Sequence, residues 1–238
     1  MKRALHALLL GLMTLAALPS ASAKDITLDF ENMPPGPLFQ GDAFDIGHDV
    51  YFEPFSVSSS AQPGDYVGEV VESAWAGEQC GQVQCPGTGG TYLAALNDSA
   101  MYFSTFSGQA FSVKSLDASF LGPQAASYYP TMGALRIQAN RADGSYALAT
   151  FYLGPPGDNG YEFTHFTTSS AFANDQFVEI YVFGLACNSA GSCSAFNSDR
   201  GQFALDNLVL TSAVPEPSTW LLLGGGLLLI GAVRRRRA

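Results

Sequence analysis

Between residues 24 and 212, apolar and polar side chains alternate in short runs, seen at residues 26–30, 111–116, 134–138 and 177–183. A period of two buries one face of a segment and wets the other, so each run predicts a β-strand. Turn formers separate the runs, at residues 33–36, 62–65 and 155–160. The clearest hairpin rises from Leu135 to Arg141, turns at Ala142, Asp143, Gly144 and Ser145, and returns from Tyr146 to Leu153. Asp-Gly suits that turn because it needs a positive φ. No helical run of useful length lies between the two hydrophobic ends. The pattern predicts an all-β domain, a two-sheet β-sandwich or jelly roll. A β-solenoid would need a fixed repeat period, and none is present.

The last run, Gln202 to Leu210, changes phase. Phe203 and Leu205 share one parity, while Leu208 and Leu210 share the other. If both pairs are buried, the strand slips at Asp206 and Asn207, which predicts a bulge there.

Both ends of the chain read differently. Residues 220–233 hold no charged or strongly polar side chain. Fourteen helical residues cover roughly 21 Å of a ~30 Å hydrocarbon core. Starting at Pro217, where a missing N–H costs nothing, and letting arginine stems snorkel brings the segment near spanning length. A transmembrane helix over about 217–233 is therefore expected. Arg234, Arg235, Arg236 and Arg237 would hold its end in the cytoplasm. A permanent tail anchor and a terminal core helix are the alternatives. Gly224, Gly225 and Gly226 weaken the middle of such a core helix, and its apolar residues run all round it. At the other end, Lys2 and Arg3 precede an apolar run to Leu18, and Ala21, Ser22 and Ala23 give a cleavage site. This is the pattern of a signal peptide, a signal helix over residues 1–23, with an uncleaved anchor as alternative. The expected organisation is a signal peptide over 1–23, an exported domain over 24–212 and a C-terminal segment over 213–238.

That C-terminal segment places Pro215, Glu216 and Pro217 before the apolar stretch and the arginines after it. In this order the three parts resemble the PEP-CTERM sorting signal of exported bacterial proteins. The resemblance implies that exosortase recognises the Pro-Glu-Pro motif and removes the tail, with signal peptidase acting at the other end. It also implies passage through the inner membrane and a final place at the cell surface or in the extracellular polysaccharide matrix. Gln202, Phe203 and Asp206 look like a subgroup marked by Gln-Phe-x-x-Asp before the tail. The same strand is similar to the final strand of jelly-roll carbohydrate-binding modules, where an acidic residue often joins those of the first strand around calcium. That similarity implies a Ca²⁺ site from Asp29 or Glu31 with Asp206 and backbone carbonyls. The alternative is that these carboxylates face solvent or satisfy loop amides.

Charge narrows the functional classes. From Lys24 to Glu216 only Lys24, Lys114, Arg136, Arg141 and Arg200 oppose all 21 acidic residues, a net charge of −16. Such a region repels phosphate backbones, so nucleic acid is excluded as a partner. Four cysteines allow three pairings. Cys80 with Cys85 and Cys187 with Cys193 are expected, since each pair closes a short loop of turn formers. Zinc would compete for them, but neither pair is C-x-x-C, no His lies near, and export favours disulfides.

Candidate chemistry is sparse. Asp42, Asp45, His48 and Asp49 cluster locally but lack the spacing of an EF-hand, and read as a solvated loop. Residues 85–90 are glycine-rich without a following Lys-Ser/Thr, and read as a surface loop. Outside the signal peptide only His48 and His165 remain, and no Gly-x-Ser-x-Gly elbow exists. His165 is expected on an exposed strand face. A glycosidase needs two carboxylates about 5–10 Å apart, and nothing singles out such a pair. Trp75, Tyr92, Tyr128 and Tyr129 are candidates for stacking on sugars, with burial in the core as the alternative. The expected function is an exported, non-enzymatic structural or carbohydrate-binding component. A secreted polysaccharide hydrolase and a permanently anchored surface protein are the alternatives.

Overall fold

The computed structural model describes residues 23–80, 83–87, 90–122, 132–196 and 200–212. The expected signal helix, the transmembrane helix, Pro215, Glu216, Pro217 and the four arginines lie outside the described residues. Among those described, no helix is long and apolar enough to cross a membrane.

The alternating runs become strands in two antiparallel sheets, all within one unit spanning Asp25–Ala213. The first sheet contains β1 (Asp25–Leu28), β2 (Gly36–Phe39), β5 (Tyr66–Glu72), β6 (Thr91–Ala95), β8 (Phe111–Phe120), β11 (Thr164–Thr167) and β14 (Phe203–Ser212). Its order is β11-β8-β14-β6-β5-β2, with β1 also pairing β14. The second sheet contains β3 (Phe44–Asp45), β4 (Val50–Ser56), β7 (Ser99–Thr105), β9 (Gly133–Asn140), β10 (Tyr146–Leu153), β12 (Glu179–Cys187) and β13 (Cys193–Ser194). Its order is β10-β9-β12-β7-β4-β3, with β13 pairing β12. The all-β two-sheet reading of the sequence holds.

One core fills the space between the sheets. Leu38, Leu93, Leu116, Phe203 and Leu205 of the first sheet join Phe52, Phe103, Leu135, Ile180 and Val182 of the second, all at 0–1% exposure. Burial of large apolar side chains at roughly 25 cal/mol per Å² is what holds such sheets together. Gly184 of β12 marks a close approach of chains: a Cβ there would sit 1.9 Å from the carbonyl oxygen of Gly201. No other residue fits without moving the backbone.

The phase change in β14 is a bulge. Asp206 lies opposite Asp117, yet Val209 lies opposite Ser115, so one extra residue sits in β14. Asn207 takes a positive φ of 46°, and Leu208 and Leu210 stay buried beside Phe203 and Leu205. β14 also changes neighbours here. Residues 203–205 pair with β6, and residues 208–211 pair with β1. β8 shifts phase too, burying Phe111 and Val113 and then Leu116, Ala118 and Phe120. The uniform alternation read for residues 111–116 therefore breaks at Lys114 and Ser115, where the register with β14 shifts a second time.

The expected β9–β10 hairpin forms, with Gly144 at φ 83° and the Arg141 N–H donating to the Ser145 carbonyl at 2.8 Å. Both expected disulfides form, Cys80–Cys85 and Cys187–Cys193. The first staples a segment over the outside of the first sheet. There Val71, Tyr92, Ala94 and Ala204 make a second apolar cluster with Ala76, Cys80 and Leu121.

Candidate functional site: the outer face of the second sheet

The residues proposed for calcium sit near one another at the bulge. Asp206 is only 9% exposed. Its carboxyl is pushed up to about 6, mainly because burial disfavours its charge, with the charges of Asp117, Glu31 and Asp29 adding to the rise. The Asn207 N–H donates to Asp206 Oδ1 at 2.7 Å and opposes that rise. Glu31 Oε1 accepts the Thr91 N–H at 2.9 Å, anchoring the start of β6. Asp29 Oδ1 accepts the Glu31 N–H at 3.3 Å. These bonds are the loop-amide arrangement weighed against calcium. Among the described residues no three His, Cys, Asp or Glu side chains are grouped so as to hold a metal ion. One oxygen of each carboxylate is thus directed to a separate backbone amide.

The other sequence candidates separate. Asp42 accepts the Phe39 N–H at 2.9 Å and Asp45 the Gly47 N–H at 2.9 Å, each closing its own turn. Asp49 bonds Ser107, so this group is a set of turn residues. His165 stands exposed on β11, as expected, and its Nδ1 lies 2.6 Å from Asp117 Oδ1. Tyr92 is fully buried. Its hydroxyl donates to the Pro86 carbonyl at 2.7 Å and its ring meets Phe163 edge-on at 5.2 Å. It is the pin of the stapled segment and not a sugar platform. Trp75 remains 55% exposed in a one-turn helix, Ser73–Trp75. Tyr128 and Tyr129 lie outside the described residues.

The outer face of the second sheet carries what the sequence reading missed. In β4, Val50 and Phe52 point inward, so Tyr51, Glu53 and Phe55 point out. In β12, Ile180 and Val182 point inward, so Glu179, Tyr181 and Phe183 point out. Strand register then assembles rows across five strands. One row runs Tyr51, Ser104, Glu179, Asn140, Tyr146. The next runs Glu53, Tyr102, Tyr181, Gln138, Leu148, and a third runs Phe55, Ala100, Phe183, Arg136, Thr150.

Aromatic rings link these rows. Phe106 meets Tyr51 at 5.0 Å, Tyr51 meets Tyr102 at 5.7 Å, Tyr102 meets Tyr181 at 5.1 Å and Tyr181 meets Phe55 at 6.0 Å. Offset and edge contacts at these separations stiffen the ladder. Glu179 is its polar hub. It accepts from the Tyr102 hydroxyl at 3.0 Å and from Asn140 Nδ2 at 2.7 Å. Gln138 donates to Asn140 Oδ1 at 3.3 Å, and Arg136 Nε donates to Thr150 Oγ1 at 3.2 Å. Burial, and then hydrogen bonds and charge from Tyr51 and Glu179, push the Tyr102 phenol up; burial and the Glu179 charge do the same for Tyr181. Both hydroxyls therefore remain protonated donors at physiological pH. Such a face offers ring surfaces, amides, a guanidinium and carboxylates side by side. A signal for it existed in the unbroken apolar run Ile180 to Phe183, where aromatics occupy the wet parity.

The family profile described as the PEP-CTERM protein-sorting motif matches residues 213–237. The chain carries a PEP-CTERM protein-sorting motif. That motif marks an exported protein, held at the membrane in transit and processed by exosortase, and two disulfides are compatible with export. No curated protein matches this chain. Among solved structures, a DUF4465 family protein from Bacteroides caccae is 10% identical with a TM-score of 0.53, covering 80% of this chain and all of its own. A DUF4465 family protein from Bacteroides ovatus is 11% identical with a TM-score of 0.44, covering 80% of this chain and 99% of its own. The C-terminal family 22 carbohydrate binding module of Clostridium thermocellum Xyn10B is 13% identical with a TM-score of 0.34, covering 82% of this chain and 97% of its own. At such identities only the first likeness speaks to this chain, and it speaks to fold alone.

Proposed function

We propose that this protein is a non-enzymatic component of the bacterial surface or extracellular matrix that binds polysaccharide on the outer face of its second sheet. The observation that carries the reading is the ladder of Tyr51, Tyr102, Tyr181 and Phe55 beside Glu53, Gln138, Asn140, Arg136 and Glu179. Sugar rings present apolar C–H faces to aromatic rings and hydroxyls to amides and carboxylates, and this face supplies both. Two carboxylates against one guanidinium favour neutral glycans over acidic ones. The Gln202, Phe203 and Asp206 strand supports placement in the Gln-Phe-x-x-Asp subgroup, and signal peptidase is proposed to act after Ala23.

The test is a glycan array followed by affinity electrophoresis on the exported protein, with a reducing-sugar assay in parallel. Binding without sugar release is expected. Tyr102→Ala and Tyr181→Ala should each weaken binding about tenfold, the loss typical of a central aromatic contact. Sugar release would convert the reading to a hydrolase. Binding that is unchanged in both variants would remove this face from the function.

A further inference from the structure

Three tyrosines on the outer face of the second sheet crowd around one carboxylate. Tyr51 Oη lies 3.3 Å from Tyr102 Oη, and the Tyr102 hydroxyl donates to Glu179 Oε2 at 3.0 Å. Since Tyr102 gives its proton to Glu179, Tyr51 is the donor in the first of these contacts. The groups form a relay along which protons run from Tyr51 to Tyr102 to Glu179. Tyr181 Oη is 3.5 Å from the other carboxylate oxygen, Oε1, which also accepts from Asn140 Nδ2 at 2.7 Å.

The rings of Tyr51 and Tyr102 converge towards their hydroxyl ends. Their centroids stand 5.7 Å apart, whereas their hydroxyl oxygens are 3.3 Å apart. Each Cε carbon is bonded to the carbon that carries the hydroxyl, so Cε atoms of the two rings are neighbours as well. Those carbons matter because a phenoxyl radical carries its unpaired spin on the oxygen and on them. Strand register holds the arrangement. Tyr51 of β4 and Glu179 of β12 both lie opposite Ser104, which places each diagonally from Tyr102 of β7. Reacting atoms fixed in this way turn an encounter into a unimolecular step. Burial keeps the Tyr102 phenol protonated, so its oxidation requires a base at hand, and Glu179 is that base.

We propose that Tyr51 and Tyr102 are a site of oxidative cross-linking, where a one-electron oxidant joins their Cε carbons into a dityrosine and Glu179 takes the phenolic proton. Each phenol gives one electron to the oxidant and one proton, by way of Glu179, to solvent. The two phenoxyl radicals then form one Cε–Cε bond. Each ring next moves its Cε hydrogen to its oxygen, which restores two phenols. The net change is the loss of two hydrogen atoms, with two electrons passed to two equivalents of oxidant. The disulfides fit an oxidising compartment, where such an oxidant persists. The new bond closes a loop of sequence separation 51 and so constrains the unfolded chain. This site depends on the geometry of the three side chains and stands whether or not the face binds sugar.

The experiment is photo-oxidation of the full chain in dilute detergent micelles with ruthenium tris-bipyridine and persulfate, followed by intact mass and peptide mapping. The monomer should lose two hydrogen atoms, gain dityrosine fluorescence and yield a cross-link joining Tyr51 to Tyr102. Tyr51→Phe keeps the ring and its packing, and should lower the monomer's dityrosine at least about tenfold. Tyr152→Phe removes a phenol that is 67% exposed and should leave that yield unchanged. Glu179→Gln should slow coupling at least about tenfold and make its rate rise with pH and buffer concentration, because the proton must then pass to a solvent base. Dityrosine confined to cross-linked dimers, a link from Tyr102 to Tyr181, oxygen added at Trp75 without any link, or a yield unmoved by Tyr51→Phe would each overturn the site. A Glu179→Gln rate with the parent's pH and buffer response would overturn the proton route.

Discussion

At Asp206 the sign of the pH dependence can be worked out. In the unfolded chain its carboxyl titrates at the ordinary 3.8, and in the folded chain at about 6. Between those values the folded state holds the extra proton, so stability falls as pH rises from about 4 to 6 and stays lower above. Asp206→Asn keeps a carbonyl acceptor for the Asn207 N–H and removes the buried charge. It should raise stability at pH 7.5 by about 1–2 kcal/mol after screening is allowed for, and flatten the slope. Urea unfolding at pH 4.5 and 7.5 measures this. The same protein tests calcium. With Glu31 and Asp206 bonded to backbone amides, added Ca²⁺ should leave the melting temperature unchanged. A rise in the parent that is absent in Asp206→Asn would establish the metal site. The phase slip that exposes this chemistry was legible in Phe203, Leu205, Leu208 and Leu210. The convergence of Asp117 on Asp206 was not, because nothing in the chain says that β8 lies beside β14.

Among the elements, the stapled segment gives the clearest prediction. The Cys80–Cys85 link closes a loop of sequence separation 5, and chain-entropy reasoning puts its contribution near 2 kcal/mol. Replacing both cysteines by serine should lower stability by about that amount in urea unfolding and loosen the cover over Val71 and Tyr92. Glycan binding should be unaffected, because the proposed sugar face lies on the other sheet. Strand identity was largely readable, since each strand needs only its own alternation. The double burial of residues 92–95 went unread, and Tyr92 stood between sugar stacking and the core. The aromatic ladder was not readable. Tyr51, Tyr102 and Tyr181 are scattered over the chain, and only strand order and register bring their rings within 6 Å.

For the molecule as a whole, sorting and folding meet at one point. Replacing Pro215, Glu216 and Pro217 by alanine should leave the tail on the mature protein, an increase that intact-mass measurement of the membrane fraction would detect. An unchanged mass would mean that the tail is a permanent anchor. The proposed domain boundaries rest on how sharply the ends of the chain differ in composition from the middle. The final strand ties these matters together. β14 is the last element of the domain, yet it lies inside the first sheet, with β8 on one side and β6 and β1 on the other. A chain threaded through the membrane from its N-terminus therefore cannot complete its core until residue 212 has emerged. On that route the first sheet stays divided until β14 arrives. If the proposed sorting segment enters the bilayer next, arrival there and acquisition of the native state coincide in time.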